Sequence, residues 1–312
     1  MIIKEKDAST SEASKRALED ILQQNLSREK RSLVEKEIFA ITRGQKGEKD
    51  AAYLINFDFG NSKNWAILHD LRIEANGLVA QIDHLLINRF FEFYVLESKN
   101  FANGIKIEDD GECLAYYNQR YQAIPSPIEQ NRRHIKVLDD CLKEHEVMPK
   151  RLGIVIQPKF HNIILMSPKS RVIRPRKKDF DTSMVIKADT LRTTIDTMLD
   201  NLSIMGTFAT ASKLCSCETL REVAEKIAAL HRPIKIDYAK RFGTRSAQAR
   251  VERAQPNPKE AKKPRYYCWD CKSDVSPVVF EYCRSYQHIY GNKVYCKKCQ
   301  KSFLERSKDR QV

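Results

Sequence analysis

At 312 residues the chain has room for two domains, and its 42% hydrophobic content can build a core. It holds no run of 18 or more apolar residues, which argues against a membrane span. The net charge of +14 is unevenly placed: residues 232–312 carry 20 Lys and Arg against 8 Asp and Glu, the first 231 carry 35 against 33. A basic segment this concentrated fits a polyanion such as nucleic acid. The plainer reading of the same charge is a solvated tail. The first twenty residues lack an apolar signal core, so the expectation is a cytoplasmic protein without a membrane partner. In a reducing compartment the nine cysteines are metal ligands or buried thiols rather than disulfides.

Leu18, Ile21 and Leu22, then Leu33, Val34, Ile38 and Ile41, recur at helical spacing, so residues 1–55 read as helical. Gly44 and Gly47 are expected to interrupt, which sets residues 1–43 apart as an N-terminal helical segment. The period then changes to that of strands. WAILHDLRIEA (65–75) and VAQIDHLLI (79–87) flank Asn76-Gly77, a strong hairpin signal, and FEFYVLES (91–98) reads as a central strand. Two short strands are expected near 104–107 and 113–117. A helix follows over 128–145, entered through Pro125 and Pro127. LGIVIQP (152–158) and HNIILMS (161–167) read as buried strands. After the basic KSRVIRPRKK (169–178), helices near 188–201 and 217–230 complete a domain over 44–231. Residues 232–265, with four prolines and many charges, read as a basic linker. The order predicts an α/β fold with a mixed sheet flanked by helices.

Three polar residues stand out in the meander. Glu97 and Lys99, two apart on one strand, point to the same face. Asp83 lies fourteen residues upstream on the neighbouring strand and can meet Glu97 across the ladder. Converging carboxylates repel unless a cation sits between them, and Mg²⁺ (or Mn²⁺) takes such oxygen ligands. With a lysine to serve the attacking water, these are the parts of metal-assisted phosphodiester hydrolysis. On spacing alone the bland alternative is better: a turn aspartate and a solvated strand end. The apolar Ile82 and Val95-Leu96 just before them argue otherwise, because charges at the ends of buried strands are costly.

Gly47-Glu48, Gln81-Ile82-Asp83-His84, Leu96-Glu97-Ser98-Lys99-Asn100 and Pro127 with Gln130-Asn131 follow one another in order. Together these boxes resemble the nuclease-related domain, NERD, of the PD-(D/E)xK superfamily, over about a third of the chain. The resemblance implies a restriction-endonuclease-like fold. It implies that Asp83, Glu97 and the backbone carbonyl of Ser98 hold the metal and that Lys99 serves the water. Glu48 would add a third carboxylate, and Gln130 would touch the site or the phosphate. The residues themselves support Glu48, which shares a helical face with Ala51, Ala52 and Ile55. His134, one turn beyond Gln130, is read as structural.

Near the C-terminus Cys268-x2-Cys271 and Cys296-x2-Cys299 are 24 residues apart, slightly beyond the usual ribbon gap of about 15–20. Four thiolates satisfy tetrahedral Zn²⁺ and leave no open position, so the expectation is a structural Zn²⁺ in a zinc-ribbon-like module over 266–304. Cys215-Ser-Cys217 has the wrong spacing and reads as structural. Tyr295 and Phe280 read as the module's core. Tyr266, Tyr267, Trp269, Tyr286 and Tyr290 are left between core and base-stacking roles.

The sequence reading is therefore a Mg²⁺-dependent nuclease, with DNA as the expected partner and the zinc-bearing tail as its grip. Its rivals are a nucleic-acid-binding protein with a degenerate site and a protein-interaction module. A steep loss of affinity with salt separates phosphate binding from protein docking.

Overall fold

The computed structural model of the chain describes residues 1–101, 103–117, 119–205, 214–234, 236–244 and 266–308. It forms two compact units, Met1–Ala247 and Gln248–Val312.

The first unit is built on a six-stranded mixed sheet. Its strands are β1 (Ile2–Lys4), β2 (Trp65–Ala75), β3 (Leu78–Asn88), β4 (Glu92–Lys99), β10 (Lys159–Met166) and β12 (Val185–Lys187), in the order β1-β2-β3-β4-β10-β12. The β2–β3–β4 meander is antiparallel, whereas β1, β10 and β12 each join in parallel. Asn76 and Gly77 both have positive φ, the requirement of a tight two-residue hairpin turn. A second sheet, β11-β5-β6-β7, contains β5 (Ile105–Ile107), β6 (Cys113–Tyr117), β7 (Arg120–Ile124) and β11 (Val172–Ile173).

Both faces of the main sheet are covered, which explains why β4 reads as a continuous apolar run. Phe93 and Val95 pack against α3 (Pro127–Glu144) and a helix over Cys217–Ala229, α5. Tyr94 and Leu96 face the other way, onto α2 (Arg28–Phe59) and the helix Leu191–Met205, α4. On the outer side α1 (Ala8–Leu22) packs on α2 through Leu18, Ile21 and Val34. Among the described residues no helix is long and apolar enough to cross a membrane.

Two expectations fail here. Gly44 and Gly47 do not interrupt α2, which runs unbroken for 32 residues. A helical glycine costs about 1 kcal/mol relative to alanine, less than the packing of Ala51, Ile55 and Phe59 returns. Gly47 has its own use, because a Cβ there would lie 2.7 Å from Asn100 Cβ. Nor is LGIVIQP a buried strand. It forms part of a small exposed hairpin, β8 (Lys150–Arg151) with β9 (Ile154–Val155), turning at Leu152-Gly153, both of positive φ, with Leu152 98% exposed. Within the segment read as linker, α6 (Tyr238–Arg241) buries Tyr238 against Leu18, Ile21 and Val34. Residue 235 and residues 245–265 lie outside the described residues.

At the opening end of β4, buried Glu92 accepts hydrogen bonds from Asn88 (3.1 Å), Tyr94 (3.0 Å) and Lys159 (2.9 Å). Burial opposes its charge, but His161, Lys159 and Asn88 outweigh it and hold its pKa at about 2. The stability it adds is present above its ordinary value of 4.5 and is lost as pH falls from there through about 2. Glu92→Gln should cost about 2 kcal/mol at neutral pH and flatten stability across that acid window, measured by urea unfolding at successive pH values.

Candidate active site

The site sits where β3 and β4 part. Along β2 and β3 the core-facing alternation skips a beat, from Leu68 to Leu71 and from Ile82 to Leu85. Asp70, at the skip in β2, has a φ of 51°, a left-handed conformation that aspartate tolerates better than most side chains. The β3–β4 ladder stops at the His84–Leu96 pair. One residue further on, Asp83 has peeled away, and its carboxylate accepts the Ser98 N–H at 2.8 Å. Asp83 and Glu97 therefore meet around the end of the ladder rather than across it.

Alternation at the end of β4 divides the site between two helices. Glu97 continues the Phe93–Val95 face toward α3, where it accepts from Lys99 Nζ (2.7 Å) and Gln130 Nε2 (2.9 Å). Gln130 Oε1 in turn takes Lys99 Nζ at 3.2 Å, closing a three-residue ring. The second oxygen, Glu97 Oε2, is buried and has no hydrogen-bond partner among the described residues. His134 Nδ1, also without one, stands 3.5 Å away. Burial works against the charge of Glu97, but His134 and Lys99 prevail and lower its pKa. Asn131 anchors α3 to the sheet by donating to Val95 O and Asn162 Oδ1, both at 2.8 Å.

Ser98 faces α2 and ends a buried hydrogen-bond chain. Asn56 Oδ1 accepts His69 Nε2–H (2.9 Å), which leaves His69 Nδ1 to accept His84 Nδ1–H (2.7 Å). His84 Nε2 then accepts the Ser98 hydroxyl at 3.0 Å. Burial, with Lys6 and Lys4 nearby, lowers the His69 pKa to about 4. Burial, then His69 and Lys6, lowers that of His84 as well. Both rings are neutral at pH 7, as the chain requires.

Glu48 lies at the same edge, on α2, and is ion-paired with Lys6. Its helix is tied to the end of β4 by Arg43 Nη2 donating to Asn100 O (3.2 Å) and by the bare face of Gly47. Burial, then the charges of Glu97 and Glu48, push Asp83 well above the usual carboxylate range, against the Ser98 N–H and Lys99. Asp83 thus feels the charges of both Glu97 and Glu48, although each of the three carboxylates is held by a different donor. Lys6, His69 and Asn56 escaped the sequence reading, and nothing in their spacing marks them. His84 lies in the Gln81–His84 stretch, whose sequence marks Asp83 alone for a role.

In the second unit β13 (Tyr266–Tyr267) pairs with β14 (Asp274–Val275), and Cys268 and Cys271 lie in the turn between them. Cys296 and Cys299 lead into the helix Lys297–Lys308, α9. Two further helices, α7 (Pro277–Ser285) and α8 (Gln287–Tyr290), close the core. All four sulfurs fall within 4.8 Å of one another, and among the described residues no other group of three or more His, Cys, Asp and Glu converges in this way. Four sulfurs at about 2.3 Å from one Zn²⁺ would stand about 3.8 Å apart, so the cluster fits the ion. The Ser273 hydroxyl and N–H lower the Cys271 pKa to about 6, whereas its cysteine neighbours, Cys296 first, drive Cys299 up to about 12. A divalent cation relieves that crowding. Tyr290 and Tyr295 are core, and Phe280 stacks on Tyr266 at 3.8 Å. Trp269 is 54% exposed, with Lys293 and Lys272 at 4.6 and 5.1 Å from its ring. Cys215 is buried, its carbonyl accepting from Arg89 at 2.7 Å.

Glu97 and Lys99 thus close the central strand of the mixed sheet, and the charges of Glu97 and Glu48 both reach Asp83 on the adjoining strand. Residues 43–167 match the family described as nuclease-related domain. No curated protein and no solved structure matches the chain.

Proposed function

We propose that this protein is a divalent-metal-dependent nuclease that hydrolyses phosphodiester bonds in DNA. The observation that carries the reading is the buried Glu97 Oε2, which accepts no hydrogen bond among the described residues and has His134 Nδ1 3.5 Å away, beside an Asp83 whose ionised form is disfavoured. Both call for a cation, and an oxygen-rich donor set suits Mg²⁺ or Mn²⁺. Asp83, Glu97 and the Ser98 carbonyl would hold it, with Glu48 as a further carboxylate. When bound it supplies Lewis-acid charge against the negative charge developing on the phosphoryl group.

The protein's own groups prepare the rest. The Asp83–Ser98 bond and the histidine chain fix the Ser98 peptide from both sides. Gln130 holds Lys99 and Glu97 in register, so that the ammonium can orient an attacking water and favour, by its charge, loss of that water's proton to solvent. In the C-terminal unit a structural Zn²⁺ would order the surface on which Trp269, Lys272 and Lys293 meet nucleic acid by stacking and charge.

The test is cleavage of labelled single- and double-stranded DNA with Mg²⁺, with Mn²⁺ and with EDTA. Cutting that needs the metal is expected. Purified protein that cuts neither substrate with either ion would overturn the reading.

A further inference from the structure

The site contains a lysine that the nuclease-related segment does not supply. Lys6 lies 42 residues before Glu48 in sequence and outside residues 43–167. The edge strand β1 brings it in, pairing parallel to β2 with Ile2 against Ile67 and Lys4 against Leu68. Lys4 fastens that strand where the site begins: its Nζ donates to His69 O and Asp70 O, both at 2.9 Å. Two residues on, the Lys6 side chain is only 18% exposed and its ammonium is ion-paired with Glu48. The same charge is felt by the buried His69 and His84, so it stands beside the hydrogen-bond chain that ends on Ser98. An ordinary surface ion pair between two solvated chains contributes little. This one is half-buried and joins a parallel edge strand to the helix that carries the third carboxylate.

We propose that Lys6 is a positioning residue of this site, holding the Glu48 carboxylate at the edge where α2 meets the end of β4 and setting how strongly the site takes a divalent cation. The inference rests on the nuclease reading above. With all three carboxylates ionised, Lys6 and Lys99 leave the site one negative charge, and without Lys6 it carries two. A neutral residue at position 6 therefore strengthens the attraction for a divalent ion. It also releases Glu48 from the place in which Lys6 holds it, and such supporting contacts are worth about tenfold or more in activity. Affinity and turnover move in opposite directions, which a general loss of structure does not produce.

The experiment compares Lys6→Met, Lys6→Arg, Glu48→Gln and the Lys6→Met/Glu48→Gln double variant in the full chain. Mn²⁺ is titrated calorimetrically into substrate-free protein, and kcat and KM are measured on labelled DNA. Lys6→Met should bind Mn²⁺ several-fold more tightly and lose about tenfold in kcat with KM unchanged. Lys6→Arg should restore both, and the double variant should be no slower than Glu48→Gln. Lys6→Gln, which removes the charge but keeps a donor, gives a second reading of the affinity shift should Lys6→Met not fold. Unchanged Mn²⁺ affinity and kcat in Lys6→Met, or losses that multiply in the double variant, would overturn the proposal. The Mn²⁺ titration requires no cleavage, so a chain that binds Mn²⁺ but cuts nothing refutes the nuclease reading while Lys6 is still judged by affinity.

Discussion

Glu97→Ala is expected to abolish the proposed metal-dependent DNA cleavage, by at least about a thousandfold, and to leave the fold standing. The size follows from what the side chain serves. Metal charge stabilisation of a phosphoryl transition state is worth several kcal/mol, and each 1.36 kcal/mol is a factor of ten. Glu97 is also the common acceptor of Lys99 and Gln130, so its loss would free the ammonium as well as the proposed metal. The fold should survive because Glu97 and Asp83 oppose one another at the end of a ladder whose apolar pairs stay in place. Lys99→Met separates the two roles. Divalent binding should persist, or tighten, while turnover falls by about a hundredfold or more, within the range for losing a group that assists proton transfer. The measurements are single-turnover cleavage, Mn²⁺ titration and thermal melting of both variants. A Glu97→Ala protein that melts like the parent and still cuts at the parental rate would place the chemistry elsewhere.

Much of this site was legible because strand alternation is a strict rule. The spacing of Glu97 and Lys99 alone puts them on one face, and the ring they form with Gln130 follows from where α3 lies. Asp83 was legible as a neighbour but not in its manner of approach. The skipped beat at Asp70 and Asp83 depends on a left-handed residue in a strand, which no period in the sequence announces. The unbroken α2 was hidden for a related reason. Gly44 and Gly47 read as breaks by propensity, yet the approach of Asn100 is what calls for a glycine at position 47. Lys6 was invisible because parallel edge pairing joins residues far apart without a local pattern. LGIVIQP misled through its composition alone, since apolar residues at a two-residue turn look like a buried strand until the glycine's positive φ is seen.

Loss of zinc is expected to unfold the C-terminal unit and leave the first unit intact. Its described core is small: Cys268, Val275, Cys283, Tyr290 and Tyr295 are the buried members, and one of the five is itself a ligand of the proposed ion. A module of this size buries too little apolar surface to offset its chain entropy. Structural zinc contributes about 10–16 kcal/mol in comparable peptides, more than such a core can replace. Cys271→Ser and Cys299→Ser should each abolish stoichiometric zinc, measured by elemental analysis. They should also expose residues 266–308 to proteolysis while the described residues of the first unit resist. The two tryptophans report separately, since Trp65 is buried in the first unit and Trp269 is exposed in the second. Only the Trp269 signal should shift. If the proposed roles are right, these variants also lose DNA affinity and part of its salt dependence, while the cleavage rate at saturating DNA is retained. A Cys271→Ser protein whose C-terminal unit stays protease-resistant would show that its aromatic core, not the metal, holds it together.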